Sequence, residues 1–193
     1  MSHWPHLSYL EHGTARQRQA VAAITRLGIW TTLQAYAPVL AGTIPLAVDL
    51  PASDLDVICE VPEPALPACE QLLRRHYAHR PDFRLTHRVF QDLPTIVCGF
   101  RAEGFAWEVF GQPQPTARQQ AVRHLAVEQA ILEAGGEAWR RAVRQLKHSG
   151  LKTEPAFAQL LRLPGDPYAA LLTLEGLTPA QLRPRLAGLL PAG

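Results

Sequence analysis

Cysteine is scarce in this chain. Its three thiols, Cys59, Cys69 and Cys98, show neither metal-ligand nor redox-motif spacing, which excludes a cysteine-built metal or redox centre. Cys59 and Cys98 sit inside apolar runs, where a thiol acts as a small core residue. So odd and sparse a set points to a reducing compartment, and the chain is read as cytoplasmic. An excess of one charge is also lacking. Nineteen Lys and Arg oppose seventeen Asp and Glu, for a net charge of +2. That disfavours a surface dedicated to coating nucleic acid, while leaving a local basic patch open. Long apolar runs are missing too. The longest nearly apolar stretch, Ala35 to Val48, is broken by Pro38, Gly42 and Pro45, so no membrane partner is expected. The opening MSHWPHLSYLEHG carries no basic region followed by an apolar one, and no secretion leader is expected. Internal repeats and low-complexity tracts are absent.

What is present is the composition of a globular protein. Hydrophobic residues make up 47% and charged residues 19% of 193 positions, enough for one full domain or one domain with a small appendage. Thr14 is placed to cap a helix running to about Leu27, with Ala20, Val21, Ile24 and Leu27 on one face. A short helix from Ile29 to Tyr36 and a short strand at Val39 to Ala41 follow. Next come a strand over Leu55 to Val61 and a helix over Ala65 to His79. Three strand-like runs then cover Phe83 to Phe90, Thr95 to Ala102 and Phe105 to Phe110. Their links, Gln91 to Pro94 and Glu103-Gly104, read as hairpin turns, so these strands should be antiparallel neighbours. A hinge near Gly111 to Thr116 introduces helical patterns that run to about Leu189, with Gly135-Gly136 parting the first two. The expected class is α/β (α+β), with an α/β core over residues 1–112 and an all-helical part over residues 113–193.

Carboxylates stand out within this pattern. In Asp54-Leu55-Asp56-Val57, alternation along a strand puts the two aspartates on one face and Leu55 and Val57 on the other. Adjacent carboxylates repel unless a cation lies between them, and hard divalent ions take such oxygen ligands together with substrate phosphates. Glu108 is the one charged residue in the run FAWEVF, which suggests a third member of the cluster. Gly42-Thr43 follows directly on a strand. Gly there lets backbone approach a phosphate closely, and the Thr hydroxyl can donate to its oxygens.

These residues resemble the pattern of the nucleotidyltransferase superfamily, the polymerase-β-like fold. That pattern has an apolar residue, Gly, and Gly or Ser, then about ten spacer residues, Asp-apolar-Asp-apolar, and a later acid flanked by apolar residues. Here it reads Ala41-Gly42-Thr43, a spacer from Ile44 to Ser53, Asp54-Leu55-Asp56-Val57, and Trp107-Glu108-Val109. The segments GTIPLAVDLPASDLDVICEV, WEVFGQPQPTARQQAVRHL and GLKTEPAFAQLLRLPGDPYAALL further resemble an uncharacterised bacterial family of unknown function placed in that superfamily. Thr43 departs from the usual Ser or Gly but keeps a hydroxyl. Pro45 and Pro51 stiffen a spacer that is often helical in the superfamily.

The resemblance implies a mixed central sheet with a C-terminal helical cap, and a metal-dependent enzyme. Asp54, Asp56 and Glu108 would hold two Mg²⁺ ions, one activating the acceptor hydroxyl and one gripping the triphosphate. Gly42 and Thr43 would contact phosphate. The implied reaction moves a nucleoside monophosphate from a nucleoside triphosphate to an acceptor, with a small molecule or protein hydroxyl favoured over long nucleic acid. Two other classes stay open: an alarmone-type pyrophosphokinase, and an inert nucleotide-binding, toxin–antitoxin or regulatory module.

Further candidates have competing readings. Gln112 would reach substrate or, as a loop amide, bond the backbone. Arg123 would hold a phosphate and His124 a base or acceptor, or both would lie on a solvated helix face. Lys152 is a phosphate candidate through the family resemblance alone. Asp49 reads most simply as a turn residue ahead of Pro51. Arg140, Arg141, Arg144, Lys147 and His148 form a basic helix that is either solvated or polyanion-binding.

Overall fold

A computed structural model describes residues 6–190. Residues 1–5, which begin the segment read as lacking a leader, lie outside that range. The chain divides into two compact units. One comprises Met1–Pro45 with Ala52–Val122, and the other Leu46–Pro51 with Arg123–Gly193. The division falls beyond the Gly111–Thr116 hinge expected from the sequence. It also assigns part of the motif's spacer to the helical unit.

The first unit opens with helices α1 (Ser8–Glu11), α2 (Ala15–Leu27) and α3 (Ile29–Thr32). The Thr14 side chain accepts from the Gln17 amide while Gln17 reaches back to the Thr14 amide, a reciprocal cap that fixes the start of α2. Gly28 ends α2 in the left-handed conformation and opens α3. The segment expected as one helix to Tyr36 is therefore α3 plus a separate 3₁₀ turn at Gln34–Tyr36. Strand β1 (Val39–Ala41), strand β2 (Leu55–Glu60), helix α4 (Leu66–Tyr77) and strands β3 (Arg84–Phe90), β4 (Leu93–Ala102) and β5 (Phe105–Gln112) complete the unit.

The five strands form one mixed sheet in the order β1-β2-β5-β4-β3. Only β2 and β5 run parallel, and the other pairings are antiparallel. The two hairpins turn at Gln91-Asp92 and Glu103-Gly104, all with positive φ, as tight two-residue turns matched to strand twist demand. Leu93 and Pro94, expected in the first turn, belong instead to β4, where Pro94 lies opposite Val89. Its missing N–H is tolerated because the β4–β5 ladder begins only at Ile96.

One sheet face carries Leu55, Val57, Cys59, Ile96, Cys98, Phe100, Phe105, Trp107 and Val109 into a core shared with α2, α3 and α4. Tyr77, Phe100 and Trp107 stack through it at centroid distances of 4.6 and 6.0 Å. The buried Trp107 indole donates to the Ala102 carbonyl, so its polar atom is satisfied. All three thiols are free and buried, and burial raises the Cys69 pKa to about 11 and the Cys98 pKa to about 12.

The second unit is built on α5 (Gln120–His148), α6 (Thr153–Leu160), α7 (Pro167–Leu172) and α8 (Pro179–Leu186). The two helices expected either side of Gly135-Gly136 form one element broken at Gly136, whose φ of 67° only glycine adopts readily. Gly135 has a different task. A Cβ there would lie 2.2 Å from Trp139 Cδ1, so the missing side chain lets the indole pack. No helix among the described residues is long and apolar enough to cross a membrane.

Glu128 is buried in this unit, and its Oε1 has no hydrogen-bond partner. Burial pushes its pKa well above the carboxylate range; Glu154 adds to the rise and Lys147 opposes it. A carboxyl raised in this way stabilises the fold fully below its unfolded pKa, and that contribution is lost as pH rises through the folded value. Glu128→Gln keeps the shape and removes the ionisation. The variant's stability relative to the parent is expected to increase from pH 5 to pH 8, by about 1.4 kcal/mol per unit of the interval between the unfolded and folded pKa. Thermal midpoints shifted equally at both pH values would contradict this.

Candidate active site

The sheet face opposite the core carries the carboxylates. Leu55, Val57 and Cys59 fill the core, so Asp56 projects from the other side of β2. Likewise Trp107 and Val109 leave Glu108 on that face of β5. The parallel register places Asp56 directly beside Glu108, at the roughly 4.8 Å spacing of neighbouring strands. The same row runs on through Gly99 of β4 to Arg84 of β3, and on the other side to Ala41 of β1. Asp54 lies just before β2, two residues from Asp56, and is exposed.

Gly42 closes the β1 side of this row. A Cβ at Gly42 would lie 2.1 Å from Asp56 Oδ2, and its φ is +76°. Glycine is therefore needed both for the turn and for the close approach of a carboxylate to backbone. Thr43 follows, and its hydroxyl donates to Ser53 Oγ at 3.1 Å, joining the two ends of the spacer. Behind them the Gln17 side-chain amide donates to the carbonyls of Ile44 and Pro45 at 2.9 and 3.0 Å. A buried side chain of α2 thus holds the turn that carries Gly42 and Thr43. The Thr14-x-x-Gln17 capping signature was the one sequence signal for it.

The donor set is all oxygen and half-open to solvent, which suits a hard divalent ion sharing its shell with water and phosphate. Even so, among the described residues no three His, Cys, Asp or Glu are gathered closely enough to hold a metal by themselves. Glu108 Oε2 lies 3.9 Å from Arg84 Nη2. Two neighbouring carboxylates repel, and a guanidinium beside one of them relieves the strain.

The other predicted residues are dispersed. Gln112 ends β5, fully buried, and donates its amide to the Phe90 carbonyl and the Thr95 hydroxyl at 3.0 Å each. It ties strands together, as its loop-amide reading allowed. Arg123, His124 and Lys152 belong to the second unit. Arg123 makes a two-pronged ion pair with Glu175. His124 is buried edge-on to Tyr168, with both ring nitrogens unpartnered, and burial lowers its pKa. Lys152 is exposed at the N-terminal boundary of α6. Asp49 precedes the turn at Pro51-Ala52 and also lies in the second unit. The basic face read over residues 140–148 is interrupted. Lys147 is buried, and Arg144 donates to the Ala47 carbonyl and to Glu137 at 2.7 Å each.

The model of one family, described as a domain of unknown function (DUF4269), matches residues 22–174. The chain belongs to this family. No curated protein sequence matches it. Among solved structures, the MgGTP-bound Cid1 poly(U) polymerase is similar with a TM-score of 0.54 at 12% identity, over 90% of this chain and 55% of that one. A cytoplasmic RNA terminal U-transferase is similar with a TM-score of 0.51 at 11% identity, over 87% of this chain and 50% of that one. The chain thus spans about half the length of these neighbours, and it shares their nucleotidyltransferase fold.

Gly42→Ala adds a clash and a strained φ at once. It is expected to cost about 1–3 kcal/mol in urea unfolding. Removing the clashing carboxylate as well, in Gly42→Ala/Asp56→Ala, should recover part of that loss relative to the sum of the single changes. Strict additivity would contradict the close approach.

Proposed function

We propose that the protein is a metal-dependent nucleotidyltransferase, moving a nucleoside monophosphate from a nucleoside triphosphate to the hydroxyl of a small molecule or a protein. One observation carries the reading. Two carboxylates from adjacent parallel strands stand in register, beside a glycine turn that lets backbone come up to them. Asp54, Asp56 and Glu108 would hold Mg²⁺, two ions in the expected arrangement. Bound there, the ions would supply charge neutralisation at the triphosphate and a lowered pKa for the acceptor hydroxyl.

The chain's own residues would do the positioning. The backbone at Gly42 and the Thr43 hydroxyl would bind phosphate oxygens, held in place by Gln17 behind the turn. The acceptor oxygen would form a bond to the α-phosphorus as the bond to the pyrophosphate oxygen breaks. Orientation and fixed charge supply most of the rate in such a transfer. The net charge of +2 favours a compact acceptor over a long polyanion. A second reading, an inert nucleotide-binding or regulatory module, draws on the loose spacing of the acids, since no three of those described form a closed set.

Incubation of the protein with Mg²⁺, a small-molecule extract, and nucleoside triphosphates labelled at the α- or γ-phosphate separates the readings. Transfer of the α-label is expected, falling roughly 100-fold or more in Asp56→Asn and Glu108→Gln. Joint transfer of the β- and γ-phosphates would instead indicate a pyrophosphokinase. No nucleotide binding at millimolar concentration would contradict both.

A further inference from the structure

Arg84 has no place in the motif, yet the sheet brings it to the carboxylates. It stands on the edge strand β3, two strands from Glu108, and the residue between them is Gly99. Any side chain at position 99 would occupy the path. A Cβ there would lie 2.7 Å from Arg84 Cζ and 2.9 Å from its Nε and Nη2. The guanidinium therefore lies across the bare backbone of β4 and reaches Glu108 Oε2 at 3.9 Å. Three independent features converge on this contact: the register, the glycine and the ion pair. The other exposed arginines of the sheet are differently engaged or placed. Arg101 is paired with Asp82, and Arg88 lies four residues further along β3.

We propose that Arg84 is a displaceable counter-cation for Glu108, occupying the carboxylate in the metal-free protein and giving it up to a divalent ion. The inference rests on the metal-site reading above. The pair is built to be displaced. Its side chains are 65% and 38% exposed, and the separation is at the outer limit of an ion pair. Contacts of that kind contribute only a small amount, so the competition they impose on a divalent ion is modest. A guanidinium cannot lose its proton to escape, so it leaves only by moving, and exposed β3 leaves it room to do so.

Mn²⁺ binding to the full chain, followed by the loss of the free-ion paramagnetic resonance signal without nucleotide, tests this. Arg84→Gln is expected to bind Mn²⁺ about two- to five-fold more tightly than the parent, the range set by an exposed pair. Gly99→Ala keeps the charge but blocks its path, and should also tighten binding. Arg88→Gln serves as the control for bulk charge. Its position is about 13 Å along the strand from Arg84, beyond a Debye length at physiological salt, so its affinity should match the parent. Parent-like or weaker binding in Arg84→Gln, or equal tightening in Arg88→Gln, overturns the role of Arg84 alone. Absence in the parent of saturable Mn²⁺ binding that Asp56→Asn removes overturns both this inference and the metal-site reading.

Discussion

The parallel pairing of β2 with β5 is the constraint on which the candidate site depends. These two strands are far apart in sequence and are the only parallel neighbours in the sheet. Their register sets Asp56 against Glu108 on one face and Leu55, Val57, Trp107 and Val109 into the core on the other. A slip of one residue would turn every one of these side chains over, burying acid and exposing tryptophan. The hydrophobic core therefore enforces the juxtaposition of the two carboxylates.

The neighbouring positions leave room for that pair. Gly42 has no side chain to collide with Asp56, and Gly99 has none to bar Arg84 from Glu108. The two glycines flank the acidic pair within the sheet, one on the side of β1 and one on β4. Gln17 adds rigidity from below by joining the turn after Gly42 to a capped helix. On the proposed reading the cation beside Glu108 changes without movement of the backbone, because Arg84 is a long exposed side chain on an edge strand.

Much of this was legible in the sequence. Alternation of Leu55, Asp56 and Val57 settles which face each takes once a strand is granted, whereas Asp54 falls just before the strand, and a lone Glu108 among aromatics signals its exception to the core. The mixed sheet that the family resemblance implied is the one observed, and it matches the fold of the solved neighbours. Arg84 could not be found this way. Its relation to Glu108 depends on β4 lying between β3 and β5, and a glycine in an apolar run carries no sign of what crosses it. Gln112 was open to reading as a substrate contact or a loop amide because the extension of β5 past Phe110 comes from pairing with β2 and β4, a non-local effect. Nothing in the sequence singled out Glu128. Its burial is a property of tertiary packing, invisible to helical periodicity.

The central claim is that Asp56 and Glu108 together form the cradle of a divalent ion that serves a nucleotide. A crystal of the full chain soaked with Mn²⁺ and a non-hydrolysable nucleoside triphosphate, recorded at the manganese edge, tests it most directly. An anomalous peak bridging the two carboxylates and a phosphate oxygen, with Arg84 moved away from Glu108, is the result the account predicts. Nucleotide bound with no manganese at these carboxylates, or manganese bound elsewhere on the chain, would contradict it.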